Sequence, residues 1–270
     1  MSAAALPRSY LFVPGDRPER FAKALASGAD AVVLDLEDAV APERKAEARA
    51  AVRAALADGD GRWVVRINDE STPWFEEDLT LLGAARSVML PKAETAAQVA
   101  RVVAASPGLA LLALVETARG VLGAAALAQA PGVQRLVFGT IDFALDLDLS
   151  GDPAGFDTAA SLLALASRAA GIAAPVAGVT TAIDDEALLR ADVARARAHG
   201  FGAKLCIHPK QVAPLHRALA PSAAELDWAR RVVAATEGAA AGRGAVRVDG
   251  RMVDKPVLLR AQRLLARASD

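Results

Sequence analysis

The chain has 270 residues, its 31 basic side chains nearly balance 32 acidic ones for a net charge of −1, and only 4% of it is aromatic. That balance excludes a surface built to grip nucleic acid, and an apolar content of 53% so poor in aromatics disfavours an all-β sandwich. The single cysteine, Cys206, excludes an internal disulfide or a thiolate metal cluster and fits a reducing compartment.

No uncharged run reaches the roughly 18 apolar residues of a membrane span, and residues 1–10 lack a basic segment followed by an apolar core. The expectation is a cytoplasmic protein with no membrane partner.

Taken in chain order, eight short apolar runs, each followed by a charged, helix-periodic stretch, set the rhythm of βα units. They cover residues 10–13, 31–36, 63–67, 87–90, 111–115, 135–138, 174–179 and 203–207. None alternates with polar residues, as expected of parallel strands covered on both faces. Helices are predicted over 43–57, where Pro42 opens the first turn, and over 94–105, 119–130, 158–170 and 185–199, with glycine stops at Gly28, Gly171 and Gly200. Eight such units in this length match an α/β fold of the (β/α)8 TIM-barrel type better than an open doubly wound sheet.

The barrel is expected to span residues 1–220. Residues 221–270 leave the rhythm and form a C-terminal helical extension, with a small-residue loop over 238–244, whose hydrophobic faces need a partner. That partner is either the chain's own barrel or a neighbouring subunit.

In such a barrel the chemistry sits at the C-terminal ends of the strands. The second run closes in Asp35, Glu37 and Asp38, the third in Arg66 and Asn68, the fourth in Lys92 and Glu94, the fifth in Glu116 and Thr117, and the sixth in Asp142. Carboxylates converging on one cleft repel unless a cation neutralises them, so a divalent metal is implied. Glu116 and Asp142, on neighbouring strands, are the best ligand pair. Their oxygen donors suit a hard ion that keeps waters or substrate oxygens, which points to Mg2+. The alternative is that both acids cap the helices that follow. Arg66 is placed either to hold a carboxylate or enolate oxygen or to form a structural salt bridge with Asp35 or Glu37.

Arg17 lies in the loop 14–18, whose amides would receive a phosphate or simply make a turn. No glycine-rich nucleotide motif supports bound NAD or ATP. His208 is expected to fix the turn after the eighth strand, His199 and His216 to lie on the surface, and Cys206 to be a core thiol.

These residues carry a family likeness. Residues 11–20 (Leu-Phe-Val-Pro-Gly-Asp-Arg-Pro-Glu-Arg), 35–40 (Asp-Leu-Glu-Asp-Ala-Val), 90–94 (Leu-Pro-Lys-Ala-Glu), 116–120 (Glu-Thr-Ala-Arg-Gly), 138–142 (Phe-Gly-Thr-Ile-Asp), 204–209 (Lys-Leu-Cys-Ile-His-Pro) and 248–254 (Val-Asp-Gly-Arg-Met-Val-Asp) follow one another as in the citrate lyase β-subunit-like family of the phosphoenolpyruvate/pyruvate barrels, which the chain resembles. The resemblance implies a carbon–carbon lyase or synthase that joins or parts an acyl-CoA thioester and a 2-oxo acid, through citryl-, malyl- or citramalyl-CoA.

It implies that Glu116 and Asp142 hold Mg2+, with Arg66 catalytic and touching substrate together with Glu116, Arg17 and Lys92. Asp35, Glu37 and Asp38 stand behind them. Asp254 would be a catalytic acid/base delivered from an adjacent copy in a homo-oligomer, a trimer or hexamer. Where relatives usually carry Tyr-Ala-Arg this chain has Thr158-Ala159-Ala160, and where many have Asp it has Ala177. The alternatives are a class II pyruvate aldolase that does not use CoA, and a lyase subunit dependent on an acyl-carrier partner.

Overall fold

A computed structural model describes residues 6–237 and 246–269. The loop over 238–244 therefore lies outside the described residues. Eight parallel strands close into a barrel in sequence order. They are β1 (Ser9–Pro14), β2 (Ala31–Asp35), β3 (Trp63–Arg66), β4 (Ser87–Leu90), β5 (Ala110–Val115), β6 (Val133–Phe138), β7 (Val176–Ala177) and β8 (Ala203–Cys206), and β8 pairs back onto β1. The fold is a (β/α)8 TIM barrel.

Inward side chains such as Tyr10, Val33, Met89, Leu112 and Val137 fill the interior. The alternate positions face the helices, and for this reason every residue of β2 is buried.

The helices are α1 (Phe21–Leu25), α2 (Lys45–Ala57), α3 (Phe75–Leu79), α4 (Ala96–Ala105), α5 (Ala118–Leu122), α6 (Ala124–Gln129), α7 (Thr140–Asp146), α8 (Asp157–Ala170), α9 (Glu186–Ala198), α10 (Val212–Leu219), α11 (Ala223–Glu237) and α12 (Lys255–Ser269).

Three elements differ from the sequence reading. The helix expected over 94–105 starts at Ala96, because Thr95 and Gln98 form a capping box. The helix expected over 119–130 breaks at Gly123, where any side chain would lie 2.6 Å from the Glu94 carbonyl. The seventh strand shrinks from six residues to two, since Pro175 offers no N–H and Gly178 is pressed against Thr140 and the Phe138 carbonyl. Gly28, Gly171 and Gly200 do adopt positive φ at helix ends.

The chain divides into two compact units, Pro7–His216 with the barrel and a second that runs from Arg217 onward and includes Leu6. In the second, α11 and α12 bury Ala229, Val232, Ala261 and Leu264 together with Val253 of a hairpin made by β9 (Val246–Val248) and β10 (Arg251–Val253). Asp249 and Gly250 turn that hairpin with positive φ at both positions.

Candidate active site

The polar residues that close β2 to β5 form one network. Arg66, last in β3, donates from Nε to Asp35 Oδ1 at 2.7 Å and from Nη2 to Asp35 Oδ2 at 2.6 Å. The two residues are register partners at the tops of adjacent strands, and this makes the bidentate geometry available. Asp35 also accepts the Glu37 and Ala39 amides. On the other edge of the guanidinium, Nη1 lies 2.8 Å from Glu37 Oε2 and 3.4 Å from Asp38 Oδ2. The Phe12 ring packs against its face at 4.9 Å.

Arg66 thus makes the salt bridge that was one of its two readings. Asp35 and Asp38 hold the arginine from two sides, Asp35 buried and Asp38 exposed. Burial works against the Arg66 charge, but the Asp35, Glu37 and Asp38 carboxylates together outweigh it and the net shift is upward.

Glu116 directly follows β5 and is 2% exposed. Its Oε1 accepts the Lys92 amide at 2.8 Å, and Lys92 takes the left-handed φ of +45° to present that amide. Lys92 Nζ reaches Glu37 Oε1 at 3.2 Å. Glu116 Oε2 faces Gly139, where an added Cβ would sit 2.5 Å away. Only a glycine there lets the Glu116 side chain lie so close to the backbone.

Asp142 does not close β6 directly. That strand ends at Phe138, and Asp142 lies in the first turn of α7, half-buried and near enough to act on Glu116 electrostatically.

Burial, reinforced by Glu37 and Asp142, pushes the Glu116 carboxyl up to about 8. Burial likewise lifts Glu37 to about 7 against the pull of Arg66. Glu37 Oε2 accepts no hydrogen bond although it is buried. The cluster is short of positive charge.

Among the described residues no three His, Cys, Asp or Glu side chains are arranged as a metal cage. A hard ion that keeps most of its waters needs only one or two carboxylates. The buried carboxyls of Glu116 and Glu37, with Asp142 near Glu116, fit such an ion.

Arg17 and Asp254 make local contacts of their own. Arg17 stays half-exposed, 3.9 Å from Asp16. The Gly15 amide in its loop already donates to the Asp35 carbonyl at 2.7 Å, which removes one of the expected phosphate donors. Asp254 belongs to the second unit, where its Oδ1 accepts the Val257 amide at the start of α12.

His208 Nδ1 accepts the Lys210 amide and fixes its turn. His199 and His216 are not surface groups: both are partly buried, His199 between Asp157 and Ser161, His216 against Ser9 and Asp30. Cys206 is buried, and burial pushes its thiol up to about 12.

The sequence reading missed Lys45. Its buried ammonium donates to the Leu36 and Glu37 carbonyls at 2.7 and 2.8 Å and to Asn68 Oδ1 at 2.6 Å. Asn68 is held in turn by Asp78, and Asp78 by Arg49. This second tier fixes the loop carrying Glu37 and Asp38 to the top of β3. One signal existed: lysine is scarce in a chain rich in arginine, and a retained lysine marks a place where a compact ammonium is needed.

Comparison with known proteins shows the family. The HpcH/HpaI aldolase/citrate lyase family profile matches residues 8–209. A citrate lyase subunit beta-like protein of Mycobacterium tuberculosis is 42% identical, covering all of this chain and 98% of its own. A (3S)-malyl-CoA thioesterase of Cereibacter sphaeroides is 38% identical, over 97% of this chain and 94% of its own. The structure of M. tuberculosis CitE in complex with magnesium, acetoacetate and coenzyme A superposes with a TM-score of 0.88 at 40% identity, covering 99% of both chains. A closed eight-strand barrel with its polar cluster at the strand ends, matched over this much sequence, places the chain in the HpcH/HpaI aldolase/citrate lyase family of enzymes.

Proposed function

We propose that the protein is a Mg2+-dependent carbon–carbon lyase or synthase that parts or joins an acyl-CoA and a 2-oxo acid through a 3-hydroxy-3-carboxylic acyl-CoA such as malyl-, citramalyl- or citryl-CoA. The observation that carries this reading is the Asp35-clamped Arg66 beside the buried carboxyls of Glu37 and Glu116. The magnesium and coenzyme A in the CitE complex supply the missing charge and the thioester class.

Glu116 and Asp142 would hold the ion. When bound, Mg2+ supplies Lewis-acid stabilisation of a hydroxyl or carbonyl oxygen. The protein's own side chains supply the rest. In cleavage the hydroxyl proton passes to solvent, the carbinol carbon becomes the carbonyl of the 2-oxo acid as the carbon–carbon bond breaks, and the bond's electron pair passes to the acyl α-carbon as an enolate. Arg66, fixed by Asp35, presents its Nη edge to the oxygen carrying negative charge, in a buried setting where such a contact counts most. Asp254 returns a proton to the α-carbon. Lys92 and Arg17 neutralise substrate carboxylate and phosphate. Glu37 and Asp38 hold Arg66 and order the water around the ion.

In this reading the working enzyme is a cytoplasmic homo-oligomer, a trimer or hexamer, in which Asp254 of one copy serves the barrel of another.

A second reading follows from the Cereibacter sphaeroides relative named as a thioesterase. There water attacks the thioester carbonyl and coenzyme A leaves as the free thiol. Incubation with malyl-, citramalyl- and citryl-CoA, with Mg2+ and after chelation, separates the two by mass spectrometry. A lyase yields a shorter acyl-CoA plus a 2-oxo acid. A thioesterase yields the hydroxy acid plus free coenzyme A. Full turnover after chelation, or no turnover of any thioester, would reject the proposal, and pyruvate release from a 4-hydroxy-2-oxo acid would favour the CoA-independent aldolase.

A further inference from the structure

A cavity of about 490 Å3 lies outside the barrel between the wall formed by β6, β7 and β8 and the helices α8 and α9. Its volume is that of a small-molecule site. The register explains what lines it. Val137, Val176 and Ala203 point into the barrel, so their neighbours Phe138, Ala177 and Lys204 point outward into the cavity. Phe156, Leu188 and Phe201 complete a largely apolar lining, and the short side chains of Ala160, Ala177 and Ala196 leave the space open. Ala160 belongs to the segment, and Ala177 is the position, noted above as departures from the family pattern.

Lys204 is the unusual group. It is 3% exposed. Among the described residues its ammonium donates one hydrogen bond, to the Gly178 carbonyl at 2.5 Å. The nearest carboxylate, Asp192 Oδ2, is 3.9 Å away and accepts the Thr180 hydroxyl instead.

Of the other charges lining the cavity, Asp192 meets the Thr180 hydroxyl and, at 3.9 Å, Lys204 itself. Asp157 is met by Arg195 and by His199, each at 2.8 Å. A buried ammonium with two N–H groups to spare and no acid in hydrogen-bonding range, beside an apolar cavity, is the arrangement that receives an anion carrying a hydrocarbon body.

We infer that this cavity binds a monocarboxylate of medium chain length, with the carboxylate on Lys204 and the chain among Phe138, Phe156, Leu188 and Phe201. Burial pulls the Lys204 ammonium down in pKa, a shift that a bound carboxylate would reverse. The site uses none of the residues assigned to the Mg2+-dependent reaction.

The test is calorimetric titration of the full chain with sodium octanoate, and with 1-octanol as the uncharged match. Octanoate should bind once per chain, at least about tenfold more tightly than 1-octanol. Lys204→Met should weaken octanoate by about tenfold or more. Ala177→Asp keeps the lysine but sets a carboxylate on its register neighbour, and should weaken octanoate equally. Should Lys204→Met fail to fold, Ala177→Asp and the alcohol comparison still decide the matter. No octanoate binding at millimolar concentration, equal binding of the alcohol, or undiminished octanoate binding in the folded variants would each overturn the inference.

Discussion

Replacing Arg66 separates its structural work from its chemical work. In Arg66→Met, Asp35 and Glu37 stay buried without the guanidinium that Asp35 grips at 2.6 and 2.7 Å. Removing one partner of a buried pair costs roughly 3–5 kcal/mol. Asp35 keeps the amides of Glu37 and Ala39, and Glu37 keeps Lys92, so the low end applies: about 3 kcal/mol off the barrel's stability at neutral pH. Arg66→Lys retains the charge but not the fork, and forfeits about one charge-assisted hydrogen bond, roughly 1.5–3 kcal/mol. Urea unfolding of the barrel reads both losses. Turnover of malyl-CoA reads the chemistry, where loss of an oxyanion contact costs about 100- to 1,000-fold in kcat. Arg66→Lys should therefore be folded, Mg2+-competent and about 100-fold or more slower. A folded Arg66→Lys within a few-fold of wild-type kcat would reduce Arg66 to a strut and refute its assignment.

The remaining expectations concern the ion and the second unit. Gly139→Ala forces Glu116 aside, since its Cβ would fall 2.5 Å from Oε2, and should weaken Mg2+ in isothermal titration by about tenfold or more while the barrel still unfolds cooperatively. The Glu116 carboxyl, raised to about 8, keeps its proton in the folded apo protein but loses it near pH 4.5 when unfolded. Its contribution to apo stability is present at acid pH and lost as pH rises through 8. Mg2+ requires the ionised form, so its thermal stabilisation should be larger at pH 8.5 than at pH 6, and an equal shift at both would contradict the ligand assignment. Asp254→Ala should abolish turnover yet leave Mg2+ binding intact. If Asp254 serves a neighbouring barrel, mixing and reassembling inactive Glu116→Gln and Asp254→Ala chains should restore about a quarter of wild-type activity, whereas no recovery would place Asp254 with its own barrel.

The strands were legible because a parallel strand buried on both faces reads as an unbroken apolar run, and β2 and β5 do so. The site was legible in part for the same reason: polar residues just past such runs must lie at the mouth. What stayed hidden depends on contacts between distant segments. Gly123 looks like any helix glycine until the Glu94 carbonyl arrives beside it. Lys45 reads as a helix-surface charge until Asn68, 23 residues on, supplies an acceptor beneath it. Asp142 reads as a strand-end acid, but the chain first turns at Gly139 to make room for Glu116.

The salt bridge that Arg66 makes with Asp35 leaves room for its other reading, contact with an anion, in the same side chain. A guanidinium carries five N–H donors in a rigid fork. Asp35 takes one from Nε and one from Nη2, and this fixes the plane while leaving donors on the Nη edge. That edge points toward Glu37 and Asp38, and Glu37, lifted to about 7 by burial, is the weaker competitor for it. A structural pair on one side is therefore what lets the other side meet an anion without the side chain having to be ordered first. The same logic sets the surrounding charge. Asp35, Glu37, Asp38, Glu116 and Asp142 outnumber Arg66, Lys92 and Lys45, and burial raises the pKa of Glu37 and Glu116 among them. In the proposed reaction a divalent ion at these carboxyls and an anionic substrate would offset one another's charge, which would tie ion binding to substrate binding.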